Sequence, residues 1–310
     1  MRAWVEQLRP ACWLLFLTHG YLGFLVGARA PLPAWERLAL EPQALWAWLA
    51  QTREFWLALV CLGPLLGGFT LLIDDLYDDE TDRCNPRRCS LPLVRGALSR
   101  RAVSCVAWVQ AGAGLAVGLA VSKTFFALGA IGMLLGWAYA APPLRTKGRP
   151  GCDLLTNALG VAVICPLAGW SLVQPWESFP WGLALVNMLG TAGAYISTAL
   201  LDEPYDRAAG VRTLAVALGA ERAKRLGWTL WLLYVAGLIG ASAFGYGLPR
   251  SFWPFVTILG LLFVKQYARV LQATDNPIRC WRQIVGLCAL WHVMVFGLAI
   301  AYAITERGEL

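Results

Sequence analysis

Nine runs of mostly apolar residues divide this chain: 11–28, 56–76, 102–121, 124–141, 153–173, 181–201, 226–245, 252–272 and 283–304. Each approaches the length of about 20 residues that crosses a bilayer as a helix. In hydrocarbon every backbone N–H and C=O must find its partner within the chain, and a helix meets that demand run by run. The expected fold class is therefore all-α, a polytopic membrane protein of nine transmembrane helices. The composition, 58% hydrophobic and 15% charged, agrees and excludes a soluble globule. Segment 31–51 holds Trp35, Trp46 and Trp48 but also Glu36, Arg37 and Glu41. It reads as an interfacial helix near 35–51 rather than a span. Small residues such as Gly112 with Gly114, or Gly237 with Gly240, permit close helix contact. No soluble domain or low-complexity linker interrupts the pattern, so residues 1–310 read as one domain. Arg2 and Ala28-Arg-Ala30 loosely mimic a cleaved leader. The run 11–28 is long for one, however, and Glu6 sits in the would-be basic region, so a retained first span is expected.

Lysine and arginine orient the spans. With the N-terminus in the cytoplasm, that side collects 20 of the 26 basic residues, ahead of the first span and in segments 77–101, 142–152, 202–225 and 265–282. The other side keeps Arg29, Arg37, Arg53, Lys123, Arg250 and Arg307. The asymmetry makes those segments cytoplasmic and puts the C-terminus across the membrane. A bacterial inner membrane is the expected location. The net charge of +7 is scattered between apolar spans, which excludes nucleic acid as a partner. Six cysteines, Cys12, Cys61, Cys105, Cys165, Cys280 and Cys288, lie in or beside spans and read as small packing residues. Cys84-x₄-Cys89 has no second pair or nearby His to complete a zinc site.

The charged residues concentrate at one place. Asp74 to Asp82 holds six carboxylates in nine residues, directly after the second apolar run. A charged side chain at the bilayer centre costs about 3 kcal/mol, so these acids sit at the membrane edge or in a wet cavity and need cations. On a helix Asp75, Asp78 and Asp82 (i, i+3, i+7) share a face, while Asp74 and Asp79 point off it. Carboxylates with no interleaved His or Cys suit a hard ion such as Mg²⁺. A second cluster, Asp202 and Asp206 (i, i+4), ends the sixth run on the same side. Cations accompany both: Arg87, Arg88 and Arg95, beside Asn85 and Pro86, in the first loop, and Arg207 and Arg212, beside Gly210 and Thr213, in the third. Between them lies Tyr139-Ala-Ala-Pro-Pro-Leu-Arg-Thr-Lys-Gly-Arg-Pro150, with Arg145, Lys147 and Arg149. Any one of these cations alone reads as a topology signal. Two acid clusters at helix ends on one face are what a Mg²⁺-diphosphate ligand asks for, with acids for metal and Arg and Lys for phosphoryl oxygens.

These motifs resemble the UbiA superfamily of intramembrane prenyltransferases. That family carries Asn-Asp-x-x-Asp-x-x-x-Asp, matched by Asp74-Asp75-Leu-Tyr-Asp78-Asp-Glu-Thr-Asp82 with Asp74 in place of Asn. Asp82-Arg-Cys-Asn-Pro86, Pro92-Leu-Val-Arg-Gly96, Leu98-Ser99, the Tyr139–Lys147 loop and Arg9-Pro10 also resemble it. So does Asp202-Glu-Pro-Tyr-Asp206-Arg-Ala-Ala-Gly210-Val-Arg-Thr-Leu-Ala-Val216. Two departures stand out. Ala199 occupies a position that often carries Asp or Asn. Pro204 predicts a kink or a restarted helix inside the second motif.

The resemblance implies nine helices around a central cavity, and Mg²⁺-dependent transfer of a prenyl group from a polyprenyl diphosphate to a lipophilic or aromatic acceptor within the membrane. Asp75, Asp78, Asp82, Asp202 and Asp206 would hold two Mg²⁺ ions. Lys147, Arg145, Arg88 and Arg212 would bind diphosphate, and Tyr139 and Asn157 would line the cavity. His19 and His292 sit inside spans and read as buried, neutral, hydrogen-bonded residues, with acceptor contact as the other reading. The segment after Asp206 leans toward naphthoate-type quinone precursors. The Pro-Pro-Leu-Arg-x-Lys loop leans toward chlorophyllide or carotenoid acceptors. A membrane terpene cyclase, which consumes no acceptor, is the alternative within the fold, and a transporter using acidic helix ends is the alternative outside it.

Overall fold

The computed structural model describes residues 1–38 and 41–305. Among them there is no strand, and nine helices are long and apolar enough to cross a membrane. They are α1 (Arg2–Ala28), α2 (Arg53–Tyr77), α3 (Arg100–Val121), α4 (Lys123–Ala140), α5 (Cys152–Trp170), α6 (Trp181–Ala208), α7 (Ala220–Phe244), α8 (Arg250–Gln272) and α9 (Pro277–Ile304). Each overlaps one apolar run. Successive helices pack on one another, α9 returns to α1, and α1 crosses to α5.

The interfacial segment forms two pieces rather than one helix, a 3₁₀ turn at Trp35–Arg37 and a helix at Pro42–Gln51 opened by its proline. Residues 39 and 40 of the expected helix lie outside the described residues. Trp48 is buried, and its indole N–H donates to the carbonyls of Pro33 (3.1 Å) and Ala34 (3.2 Å), which ties the pieces together.

Four local features place the site. Pro10 disfavours the right-handed helical region at the residue before it. Arg9 takes φ 46°, ψ 61°, which splits α1 into Arg2–Leu8 and Pro10–Ala28. The left-handed conformation costs a non-glycine residue about 1–2 kcal/mol, and it turns Gln7 and Arg9 toward the end of α2. Second, α2 stops at Tyr77. Asp78 leaves helical geometry (φ −107°, ψ 7°), and a short helix, Asp79–Cys84, follows. The first acid cluster thus straddles a break, not the single helix that the i, i+3, i+7 spacing assumes. Third, Leu72, Ile73 and Leu76 bury the other side of α2 in a cluster with Val103, Ala107 and Ala111 of α3 and Ala140 of α4. Asp75, Asp78 and Asp82 are buried beside it. Fourth, α6 runs unbroken through Pro204, so no restart occurs there. The proline costs one ladder bond near the end of a 28-residue helix, where the Glu203–Arg207 ion pair spans the same turn.

Two wide, π-helical turns lie in α2 (Cys61–Gly67, around Pro64) and α5 (Gly160–Ile164). Such turns disturb the carbonyl ladder. In both, an amide from the next helix supplies a donor: Gln110 of α3 to the Pro64 carbonyl (2.8 Å), and Asn187 of α6 to the Ala162 carbonyl (3.1 Å).

Candidate active site

The end of α2 supplies the first acids, and they divide between two sets of partners. Asp75 is fully buried. Its Oδ2 accepts from Gln7 Nε2 (2.8 Å), and its Oδ1 from Arg9 (2.7 Å) and Arg88 (3.2 Å). Gln7 is itself fixed, since its Oε1 accepts from the Leu93 N–H at 2.9 Å. Asp75, expected among the metal ligands, therefore has both oxygens engaged. Asp74, expected to point away, instead meets Lys147 Nζ at 2.9 Å, with Arg88 at 3.9 Å. Asp78 also bonds Lys147, with Arg145 at 3.9 Å. Asp82 is buried. Its Oδ1 lies 3.7 Å from Arg88 Nε, and its Oδ2 has no hydrogen-bond partner. Asp79 pairs with Arg83 and Arg100, apart from these contacts.

Arg9→Leu should show what Asp75 demands. Removing one partner of a buried ion pair costs about 3–5 kcal/mol. With Arg88 left in place, the low end of that range is expected, read as lost thermal stability in detergent. An unchanged melting temperature would mean that Gln7 and Arg88 satisfy Asp75 by themselves.

The second cluster lies across from the first. Asp202 accepts from Asn85 Nδ2 (2.9 Å) and pairs with Arg87, whose guanidinium sits 5.1 Å from the Trp281 ring. Asp206 is buried, as is Thr213. The loop 85–88 therefore joins the two clusters, Arg88 on the first and Asn85 and Arg87 on the second. Burial opposes the charge of Arg88, but Asp74, Asp82, Asp75 and Asp202 outweigh it and raise its pKa, so it stays protonated. Burial pushes the Asp82 carboxyl up to about 7, against the pull of Arg88 and with Asp74 and Asp75 adding to the rise.

The remaining expected residues fall in three places. Lys147 sits between Asp74 and Asp78, 5.8 Å from the Tyr139 ring centroid. Arg145 donates to the Tyr77 carbonyl (3.1 Å) and, with Arg212, lines a cleft of about 700 Å³ together with Thr81, Arg100 and Gly210. Asn157 is half-buried on α5, and among the described residues no hydrogen bond ties it to either acid cluster. His19 and His292 each donate from Nδ1 to the carbonyl one turn back, Leu15 and Cys288 (2.7 Å each). His19 is buried and stacks on Trp291 at 4.9 Å.

The sequence reading missed Gln7, Asp153, Tyr195 and Trp281. Asp153, an acid in the first turn of an apolar run, and Tyr195, seven residues before Asp202, were the available signals. Among the described residues no three carboxylates, imidazoles or thiolates converge as a metal cluster. The acids are closed instead on Lys147, Arg88 and Arg87. The donor chemistry, all oxygen with one buried Asp82 oxygen unpartnered, still fits a hard cation.

The model of the UbiA prenyltransferase family matches residues 38–293. A lycopene elongase/hydratase from Halobacterium salinarum is 33% identical over 53% of this chain and 58% of its own length. One from Haloferax volcanii is 28% identical over 82% and 84%. The chloroplastic chlorophyll synthase of Arabidopsis thaliana is 33% identical over 61% and 51%, so the match spans only about half of that relative. Among solved structures, a UbiA homolog from Archaeoglobus fulgidus bound to GPP and Mg²⁺ shares the fold. Its TM-score is 0.69 at 23% identity, over 93% of this chain and 99% of that one. A homolog from Aeropyrum pernix gives 0.71 at 18%, over 94% and 98%. With the family's model matched across all but the two ends of a nine-helix fold that its solved members share, this chain belongs to the UbiA prenyltransferase family.

Proposed function

We propose that the protein transfers a prenyl group from a polyprenyl diphosphate to a lipophilic or aromatic acceptor in a Mg²⁺-dependent reaction at the cytoplasmic side of a membrane. The observation that carries this reading is the pair of facing acid clusters, on α2 and α6, with Lys147, Arg88 and Arg87 between them. Such a site suits a ligand that brings both metal and phosphate. Asp78, Asp82, Asp202 and Asp206 would hold Mg²⁺, with Asp74 in place of the fully engaged Asp75. Bound Mg²⁺ supplies Lewis-acid neutralisation of the charge that develops on the departing diphosphate.

The chain's own residues do the rest. Lys147 and Arg88 are positioned to exchange carboxylate partners for phosphoryl oxygens, and Arg145 and Arg212 line the approach. The ring of Tyr139, beside Lys147, offers a π-face to the allylic cation left when the diphosphate departs. The names of the relatives, lycopene elongase/hydratase and chlorophyll synthase, support a large lipophilic acceptor.

The test uses purified protein in nanodiscs with geranylgeranyl diphosphate and Mg²⁺. One acceptor is added at a time: dihydroxynaphthoate, 4-hydroxybenzoate, homogentisate, chlorophyllide or lycopene. Prenylated product from one of them, abolished by EDTA, is the expected result. Diphosphate release indifferent to every acceptor, with a hydrocarbon product, would make the protein a cyclase instead. A folded protein that turns over nothing, but moves solute into proteoliposomes, would replace both readings with transport.

A further inference from the structure

Asp153 is fully buried in the first turn of α5, next to the site but in neither acid cluster. Its Oδ1 accepts from the Gly151 N–H (2.8 Å) and its Oδ2 from the Leu214 N–H (2.7 Å). Backbone N–H groups only donate, so both oxygens act as acceptors. The Tyr195 hydroxyl, 3.1 Å from Oδ2, must therefore give its hydrogen to the carboxylate. With that hydrogen committed, the Tyr195 oxygen can only accept, and the Tyr139 hydroxyl, 3.5 Å away, donates to it. The hydrogens of the chain all point from Tyr139 toward Asp153. The Tyr139 oxygen is left as the acceptor at the site end. Its ring lies beside Lys147, which holds Asp74 and Asp78.

Prenyl transfer to a C–H or O–H acceptor releases one proton, and nothing described so far takes it. We infer that Tyr139 takes this proton from the acceptor and that Tyr195 and Asp153 draw it away. The inference rests on the prenyl-transfer reading above. In the step, the acceptor atom bonds to C1 of the prenyl group as the C1–O bond breaks, its electron pair leaving on the diphosphate. The acceptor's bond to hydrogen then breaks, its electrons staying with the product. The proton goes to the Tyr139 oxygen, the Tyr139 proton to Tyr195, and the Tyr195 proton to Asp153 Oδ2. Nothing is oxidised or reduced. Release of the proton back along the chain to the departing diphosphate restores the start.

The surrounding charges favour through-transfer. Lys147, beside the Tyr139 ring, opposes a positive charge resting on that hydroxyl, whereas the Asp153 carboxyl at the far end is shut from water and offers Oδ2 to the proton. Tyr139 is thus the group that touches the acceptor, while Tyr195 and Asp153 act through it.

Tyr195→Phe removes one oxygen and keeps the ring. Diphosphate and prenylated product are measured in the same reactions, with geranylgeranyl diphosphate, Mg²⁺ and whichever acceptor of the panel the wild type prenylates. Diphosphate release is expected to persist while product falls about 100-fold, the range of general acid–base contributions. The difference should appear as prenyl alcohol or alkene. Tyr139→Phe should uncouple in the same way, and the melting temperature of each variant separates this outcome from misfolding. Parallel loss of diphosphate and product in properly folded variants, or coupling as tight as wild type, overturns the relay. A wild type that prenylates no acceptor overturns the prenyl-transfer reading itself, so the two failures are distinct.

Discussion

Asp78→Asn is expected to give a protein that inserts and folds yet loses Mg²⁺-dependent diphosphate release by about 10³-fold, the scale of losing one preorganised electrostatic contact at a reacting centre. Asp78 is buried at the break after α2, bonded to Lys147 and near Arg145. The amide keeps the shape and removes the charge. Lys147 retains Asp74 at 2.9 Å, so no cation is stranded and the fold should hold. Asp79→Asn, whose carboxylate faces Arg83 and Arg100, is the matched control and should remain active. The assay is diphosphate release across a Mg²⁺ titration, alongside size-exclusion and thermal profiles. Wild-type turnover from Asp78→Asn would remove Asp78 from the metal set and weaken the whole assignment.

A large effect on stability is expected at the seam between α1 and α5. A Cβ placed on Gly23 would overlap the Pro166 carbonyl, and one on Gly169 would overlap the Gly20 carbonyl. Both obstacles are backbone, so no side chain can swing aside and the helices must part. Gly23→Ala or Gly169→Ala should cost about 3 kcal/mol, the upper end for overpacking, and aggregate on heating in detergent well below wild type. Gly240→Ala is the contrast, because its Cβ would meet nothing within 4 Å. In a helix interior that change should be neutral or stabilising by up to about 1 kcal/mol. Equal melting temperatures for Gly23→Ala and Gly240→Ala would mean that the seam is looser than drawn.

Features set by local physics are legible in the sequence, and features set by contacts between distant segments are not. Hydropathy alone located all nine spans, because an unbroken apolar run of about 20 residues pairs its backbone in lipid as a helix. Acid density pointed to a place where cations gather, because six carboxylates beside a span demand compensation, and Arg9, Arg88 and Lys147 do meet them there. The choice between Asp74 and Asp75 was beyond periodicity. Residues 75, 78 and 82 lie within about 60° on an ideal helix, and 74, 78 and 82 within about 80°. In the structure Gln7 and Arg9 engage Asp75, and their approach depends on a left-handed turn at Arg9. Gly114 and Gly237 do sit against Leu66 and Val186, as small residues suggested, but Gly112 and Gly240 meet open space. The tighter seam at Gly23 and Gly169 joins helices far apart in sequence, and spacing within one run cannot show it. Asp153 and Tyr195 were missed for the same reason.

The turn at Arg9 also bears on how the chain is made. Synthesis runs from the N-terminus, and Gln7, Arg9, Asp75 and Arg88 all lie within the first 88 residues. Once the first two spans and the loop after them have left the ribosome, Asp75 already has its full set of partners, with α6 still untranslated. This fully buried acid never has to wait in lipid for a distant cation. Lys147, the partner of Asp74 and Asp78, and later Asp202 and Asp206, arrive at a half-site in which Asp75 is already paired from upstream.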